Sequence, residues 1–199
     1  MKLDEIALWK AITADDVDQV DVLLTKGYVK VNALPTYIRK RSWLSSACQF
    51  GAEDVYKYLV RNGADVLKIW TNESGTRENA VVGCLEGNAV TGNTVPYFFE
   101  QDFRNAISKT NNPKQVYKEQ YTVLSIPYQK FPEYGGLLHY ILFGQQDNIC
   151  LVNARWMVAH GADVRQFIGV EQGLTDPRIP NHECQQFLKS EFDKVVPNK

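Results

Sequence analysis

The chain has 199 residues, 44% of them hydrophobic and 23% charged, with a formal net charge of −1. That composition argues against wholesale disorder, and 22 Lys and Arg against 23 Asp and Glu give no global field for nucleic acid or an anionic membrane. No apolar run approaches the roughly 18 residues of a bilayer span, and Asp4 and Glu5 fall where a secretory leader would be apolar. A cytoplasmic, reducing location is therefore expected. The four cysteines, Cys48, Cys84, Cys150 and Cys184, are never closer than 34 residues. Such spacing lacks the CxxC pairs of zinc knuckles and predicts free structural thiols with no metal and no cofactor.

Taken in chain order, the predicted elements repeat. The first, Leu8 with Ala11, Ile12 and Asp15, returns 36 residues later as Leu44, Ala47, Cys48 and Gly51. It returns after 36 more as Ala80, Gly83, Cys84 and Gly87. Apolar and small residues at i, i+3 and i+4 predict one face of a short helix, closed by a turn residue. A fourth copy fits residues 137–144. A second helix follows in each copy: Val17 to Leu24 before Gly27, Val55 to Val60 before Gly63, residues 95–103 in copy three, and Leu151 to Val158 before Gly161. Glycine at these ends permits the left-handed residue that stops a helix.

Residues 104–136 break the pattern. Asn111-Asn112-Pro113 reads as a turn, residues 121–126 lean towards a short strand, and Tyr128, Phe131 and Tyr134 punctuate a loop. Those aromatics either serve a function or pack beneath the loop. A final helix over about 181–196, with Cys184, Phe187, Leu188 and Phe192 at helical spacing, is expected to cap the last copy.

The phrases YLVRNGADV, from Tyr58, and WMVAHGADV, from Trp156, resemble the second-helix ending of the ankyrin repeat. Leu138-His139 with Ile141 is similar to its Leu-His helix start, one residue out of step. The 36-residue spacing is longer than the ankyrin period of about 33, so the inter-repeat fingers look longer. The resemblance implies an all-α solenoid of about four stacked hairpins spanning residues 1–199 as one domain, with long inter-repeat loops and a C-terminal capping helix. It implies protein recognition through the concave face and fingers, without catalysis.

The partner-binding residues expected on that basis form one row. Tyr37, Arg39, Lys40, Arg41 and Trp43 follow copy one; Trp70, Glu73, Arg77 and Glu78 follow copy two; Tyr128, Lys130, Phe131 and Tyr134 precede copy four. Trp, Tyr and Arg are the types enriched at binding hot spots; the alternative for Trp43 and Trp70 is burial as staples where helices begin. The partner is another protein, which an adaptor or scaffold would join and an inhibitor, immunity-type protein or effector would block. Nucleic acid and membrane are disfavoured. A Cys150–His139 pair has no oxyanion or orienting group in the sequence to support it. An enzyme would need residues 104–136 to form a lid over convergent polar groups.

Overall fold

A computed structural model describes residues 3–36, 40–72, 77–91, 97–122, 147–159, 162, 164–167 and 182–196. It is predominantly helical: α1 Leu3–Thr13, α2 Val17–Thr25, α3 Trp43–Phe50, α4 Glu53–Arg61, α5 Ala80–Thr91, α6 Tyr97–Ser108, α7 Pro113–Thr122, α8 Asp147–Ala159 and α9 His182–Val195. A 3-10 turn spans Val164–Phe167. Strands β1, Trp70–Thr71, and β2, Arg77–Glu78, pair antiparallel between α4 and α5, with Trp70 opposite Glu78.

Two helix pairs, α1 with α2 and α3 with α4, lie side by side through α1–α3 and α2–α4 contacts. The α3–α5 contact is the most extensive between elements. Leu8, Ala11, Ile12, Leu44, Ala47, Cys48, Ala80 and Cys84, residues that recur at the same phases of the 36-residue spacing, are all buried. The hydrophobic effect that joins them is of the order of 25 cal/mol per Å² of apolar surface removed from water. Buried side chains from Leu8 in α1 to Phe192 in α9 belong to one cluster.

The helix ends follow from local chemistry. Asp16 caps α2 by accepting from the Gln19 N–H at 3.0 Å, and Ser42 caps α3 by accepting from the Ser45 N–H at 3.1 Å. Helix α4 begins at Ala52, which has no capping side chain. Asp15, from the preceding pair and held at a φ of 53°, takes that role, its carboxylate accepting from the Val55 N–H at 2.9 Å. Gly51 ends α3 at a φ of 66° and Gly63 follows α4 at 85°, where a side chain would be strained. The two ankyrin-like phrases close alike: the Ala64 N–H donates to the Leu59 carbonyl and the Ala162 N–H to the Met157 carbonyl, each at 2.9 Å.

Helix α6 runs five residues past the expected end at 103. Phe99, Phe103 and Ile107 recur every fourth residue and are buried. Phe99 meets Tyr56 edge-on at 6.2 Å and stacks on Phe103 at 5.3 Å. The stretch that begins at 104 also contains α7, and Tyr121 and Thr122 lie in that helix and not in a strand. Asn112 accepts from the Gln115 N–H at 3.3 Å and Pro113 occupies the first helical position, where its missing N–H is harmless. Residues 123–136 and the copy expected at 137–144 lie outside the described residues. The C-terminal helix expected over 181–196 is α9, which packs on α8 and on the 3-10 turn.

Gly83 and Gly87 set the α3–α5 distance. A Cβ at Gly83 would meet Ser45 Oγ at 2.1 Å and the Ser45 carbonyl oxygen at 2.6 Å; one at Gly87 would meet the Gln49 carbonyl oxygen at 2.2 Å. Because backbone as well as side chain stands in the way, a methyl group forces the helices apart. Gly83→Ala is expected to lower stability by about 1–3 kcal/mol, the usual range for an overpacked core, measured by denaturant unfolding. An unchanged midpoint would mean that the crossing is looser than described.

Candidate functional site

The residues of the expected partner row divide by burial. Lys40 and Arg77 are exposed. Trp43 is fully buried, Trp70 is 5% exposed, Arg41 3% and Glu78 7%. These four therefore present no surface to a partner in this fold. The two tryptophans are staples where α3 and β1 begin. Tyr37, Arg39, Glu73, Tyr128, Lys130, Phe131 and Tyr134 lie outside the described residues.

Arg41 and Glu78 are instead brought together inside the protein. Arg41 Nη2 lies 4.0 Å from Glu78 Oε2, and Arg41 Nη1 donates to Gln49 Oε1 at 2.6 Å. Asn72 Nδ2 donates to Glu78 Oε1 at 2.6 Å. The network ties the start of α3, the end of α3 and both strands of the hairpin into one unit. A buried charge of this kind needs a partner because its desolvation is expensive. The same fixing of loops recurs elsewhere. Asn32 donates to the Gly63 carbonyl at 2.8 Å and accepts from the Asp65 N–H at 2.8 Å. Glu5 accepts from both the Thr36 N–H, at 2.9 Å, and its hydroxyl, at 2.8 Å. Gln120, buried on α7, donates to the Leu67 carbonyl at 2.6 Å, while Asn79 donates to Gln120 Oε1 at 3.0 Å.

Cys84, Tyr56 and Tyr58 are favoured in their neutral forms. Burial pushes the Cys84 thiol up, as does its hydrogen bond with Cys48. Burial also raises the Tyr56 phenol, with Cys48 and Asp102 adding to the shift; its hydroxyl donates to Asp102 Oδ2 at 3.3 Å. The Tyr58 phenol is pushed up to about 12, chiefly by its 2.5 Å hydrogen bond to Asp21 Oδ1. A protonated, buried thiol is a poor nucleophile and a poor metal ligand. Among the described residues no group of three or more His, Cys, Asp or Glu is placed to hold a metal ion.

An open groove lies between α6 and α7, with a volume of about 460 Å³. Arg104, Ile107 and Ser108 line it from α6, and Pro113, Lys114 and Tyr117 from α7. Ile107 is buried on α6, whereas Tyr117 is 42% exposed. Sequence reasoning misses this groove because it reads Asn111-Asn112-Pro113 only as a turn. The same three residues are also a helix-start signal, Asn before Pro, and Val116 and Gln120 follow at helical spacing.

A surface Arg41 would be dispensable for stability, whereas the paired, buried one is not. Arg41→Ala is expected to destabilise the protein by about 3–5 kcal/mol, since it removes one member of a buried ion pair and its hydrogen bond to Gln49. Urea unfolding measures this, and a midpoint equal to the parent's would contradict the pairing. No protein-family model matches the chain, and no curated protein is significantly similar to it.

Proposed function

We propose that the chain is a non-catalytic protein-binding module, an adaptor or scaffold built as a divergent ankyrin-like stack of helical hairpins. The observation that carries this reading is the Asn32 bridge. One side-chain amide joins the loop after the first hairpin to the Gly63 and Asp65 backbone, 31 and 33 residues on, and so couples successive copies at one repeat's separation. The succession of contacts from α1 to α3 to α5 and the matching ends at Ala64 and Ala162 support the same architecture. Such stacks hold their helices by nearest-neighbour packing and leave loops and one continuous face for recognition. The step from this fold to protein binding is an analogy between folds. The physical support for it is that the loops are pinned in place, which reduces the ordering cost of association.

Lys40 and Arg77 are the described members of the finger row that reach solvent. The test is reconstitution: a protein captured from cells of the source, once purified, should bind the full chain in a saturable titration with fixed stoichiometry. Lys40→Glu with Arg77→Glu is expected to weaken that binding by about tenfold or more, equivalent to about 1.4 kcal/mol, with an unchanged melting curve. If no captured protein binds stoichiometrically after purification, the reading fails. If the double variant binds as the parent does, the fingers are not the contact.

A further inference from the structure

The groove between α6 and α7 combines an apolar lining with charge of one sign. Ile107, Pro113 and Tyr117 supply apolar surface, and the alkyl stems of Arg104 and Lys114 extend it. From Arg104 to Lys118 the sequence holds four cations, Arg104, Lys109, Lys114 and Lys118, and no Asp or Glu. All four are exposed. That is a local excess of positive charge in a chain whose net charge is −1.

The two groove cations stand at different points along it. Helix α6 ends at Ser108 and α7 begins at Pro113, so Lys114 lies at the connecting link and Arg104 one turn away from it. Arg104 Nη2 pairs with Glu100 at 2.5 Å with the arginine largely exposed, so the pair is weak. A guanidinium has five N–H donors, so the Glu100 contact leaves others for a second carboxylate. Lys114 makes no ion pair among the described residues. The first turn of α7, whose dipole favours anions, contains no acidic side chain. A carboxylate brought from outside would meet two cations and a favourable helix end. An apolar side chain beside it would cover Pro113 and Tyr117.

We propose that this groove binds a segment of a partner protein in which an apolar side chain stands next to carboxylates. The proposal rests on the protein-binding reading and names the partner chemistry for it. The apolar lining favours such a segment over nucleic acid, for which cations along a backbone track with several stacking aromatics would be expected; among the described residues Tyr117 is the one aromatic side chain that lines the groove.

The test uses the full ¹⁵N-labelled chain and two synthetic hexapeptide amides. One is Asp-Glu-Leu-Phe-Asp-Glu; the other has Lys at the four acidic positions. The acidic peptide is expected to shift amides between residues 104 and 117 saturably, and the Lys peptide to bind at least about tenfold more weakly. Lys114→Glu should narrow or reverse that preference without moving the melting temperature, and Tyr117→Ala should weaken the acidic peptide. Equal affinity for the two peptides would overturn the proposal. So would shifts centred on Lys40 and Arg77, or a single-stranded oligonucleotide that binds the same amides more tightly. Absence of shifts would overturn it too, whether another stretch of this chain or a second copy covers the groove. Any of these results leaves the reconstitution of a purified partner unaffected, so failure of the groove and failure of the binding-module reading are distinguishable.

Discussion

The close approach of two helices, α3 and α5 at Gly83 and Gly87, is the constraint on which the rest of this fold depends. Contact at that distance places the backbone of one helix against the backbone of the other, and only a residue without a Cβ permits it. The proximity brings Cys48 and Cys84 together in the core and sets the path of the hairpin that joins the two halves. Packing of this kind has little tolerance, because interiors are as dense as organic crystals and a single methylene is felt. The repeat phase therefore carries more than hydrophobicity. At the third copy glycine stands where the first two copies have alanine, and a Cβ there would meet Ser45.

Polar side chains do the complementary work on the loops, most of them buried and Asn32 exposed. Asn32, Glu5, Arg41 with Glu78, and Gln120 with Asn79 each hold a connecting segment to a helix or to the next segment. Two of these residues, Arg41 and Glu78, belong to the finger row on which sequence reasoning places a partner. The structure uses their charge internally, which fixes the hairpin and leaves Lys40 and Arg77 as the described finger charges in solvent. A polar network of this sort is costly if one member is removed, and that asymmetry makes it a rigid support. Among the described residues, Lys40 and Arg77 are then the exposed finger cations, and the α6–α7 pair adds an open groove.

What was legible in the sequence was whatever local spacing determines. The 36-residue recurrence located the buried positions of α1, α3 and α5, and the Gly-Ala-Asp-Val phrases marked helix ends that close with the same backbone bond. Helix α9 falls where the Cys184, Leu188 and Phe192 spacing puts it. Features that depend on distant partners were not legible. Arg41 among Tyr37, Arg39 and Lys40 looks like a surface cluster, and only Glu78, 37 residues away, decides that it is buried. Trp43 and Trp70 offered two readings that composition cannot separate, and packing chose burial. Helix α7 was hidden for a different reason: Asn-Asn-Pro serves turns and helix starts alike, and the polar run after it holds few apolar residues to mark a period.

The central claim is that α3 and α5 are halves of one cooperative core, locked by backbone contact. Native-state hydrogen exchange across a denaturant series tests it most directly, because it reads the opening free energy of each helix separately. The account predicts that buried amides of Ala47 and Cys48 in α3 and of Cys84 and Leu85 in α5 open together, with the same free energy and the same denaturant dependence. Exchange of the α5 amides through a separate, lower-energy opening while α3 remains protected would contradict it.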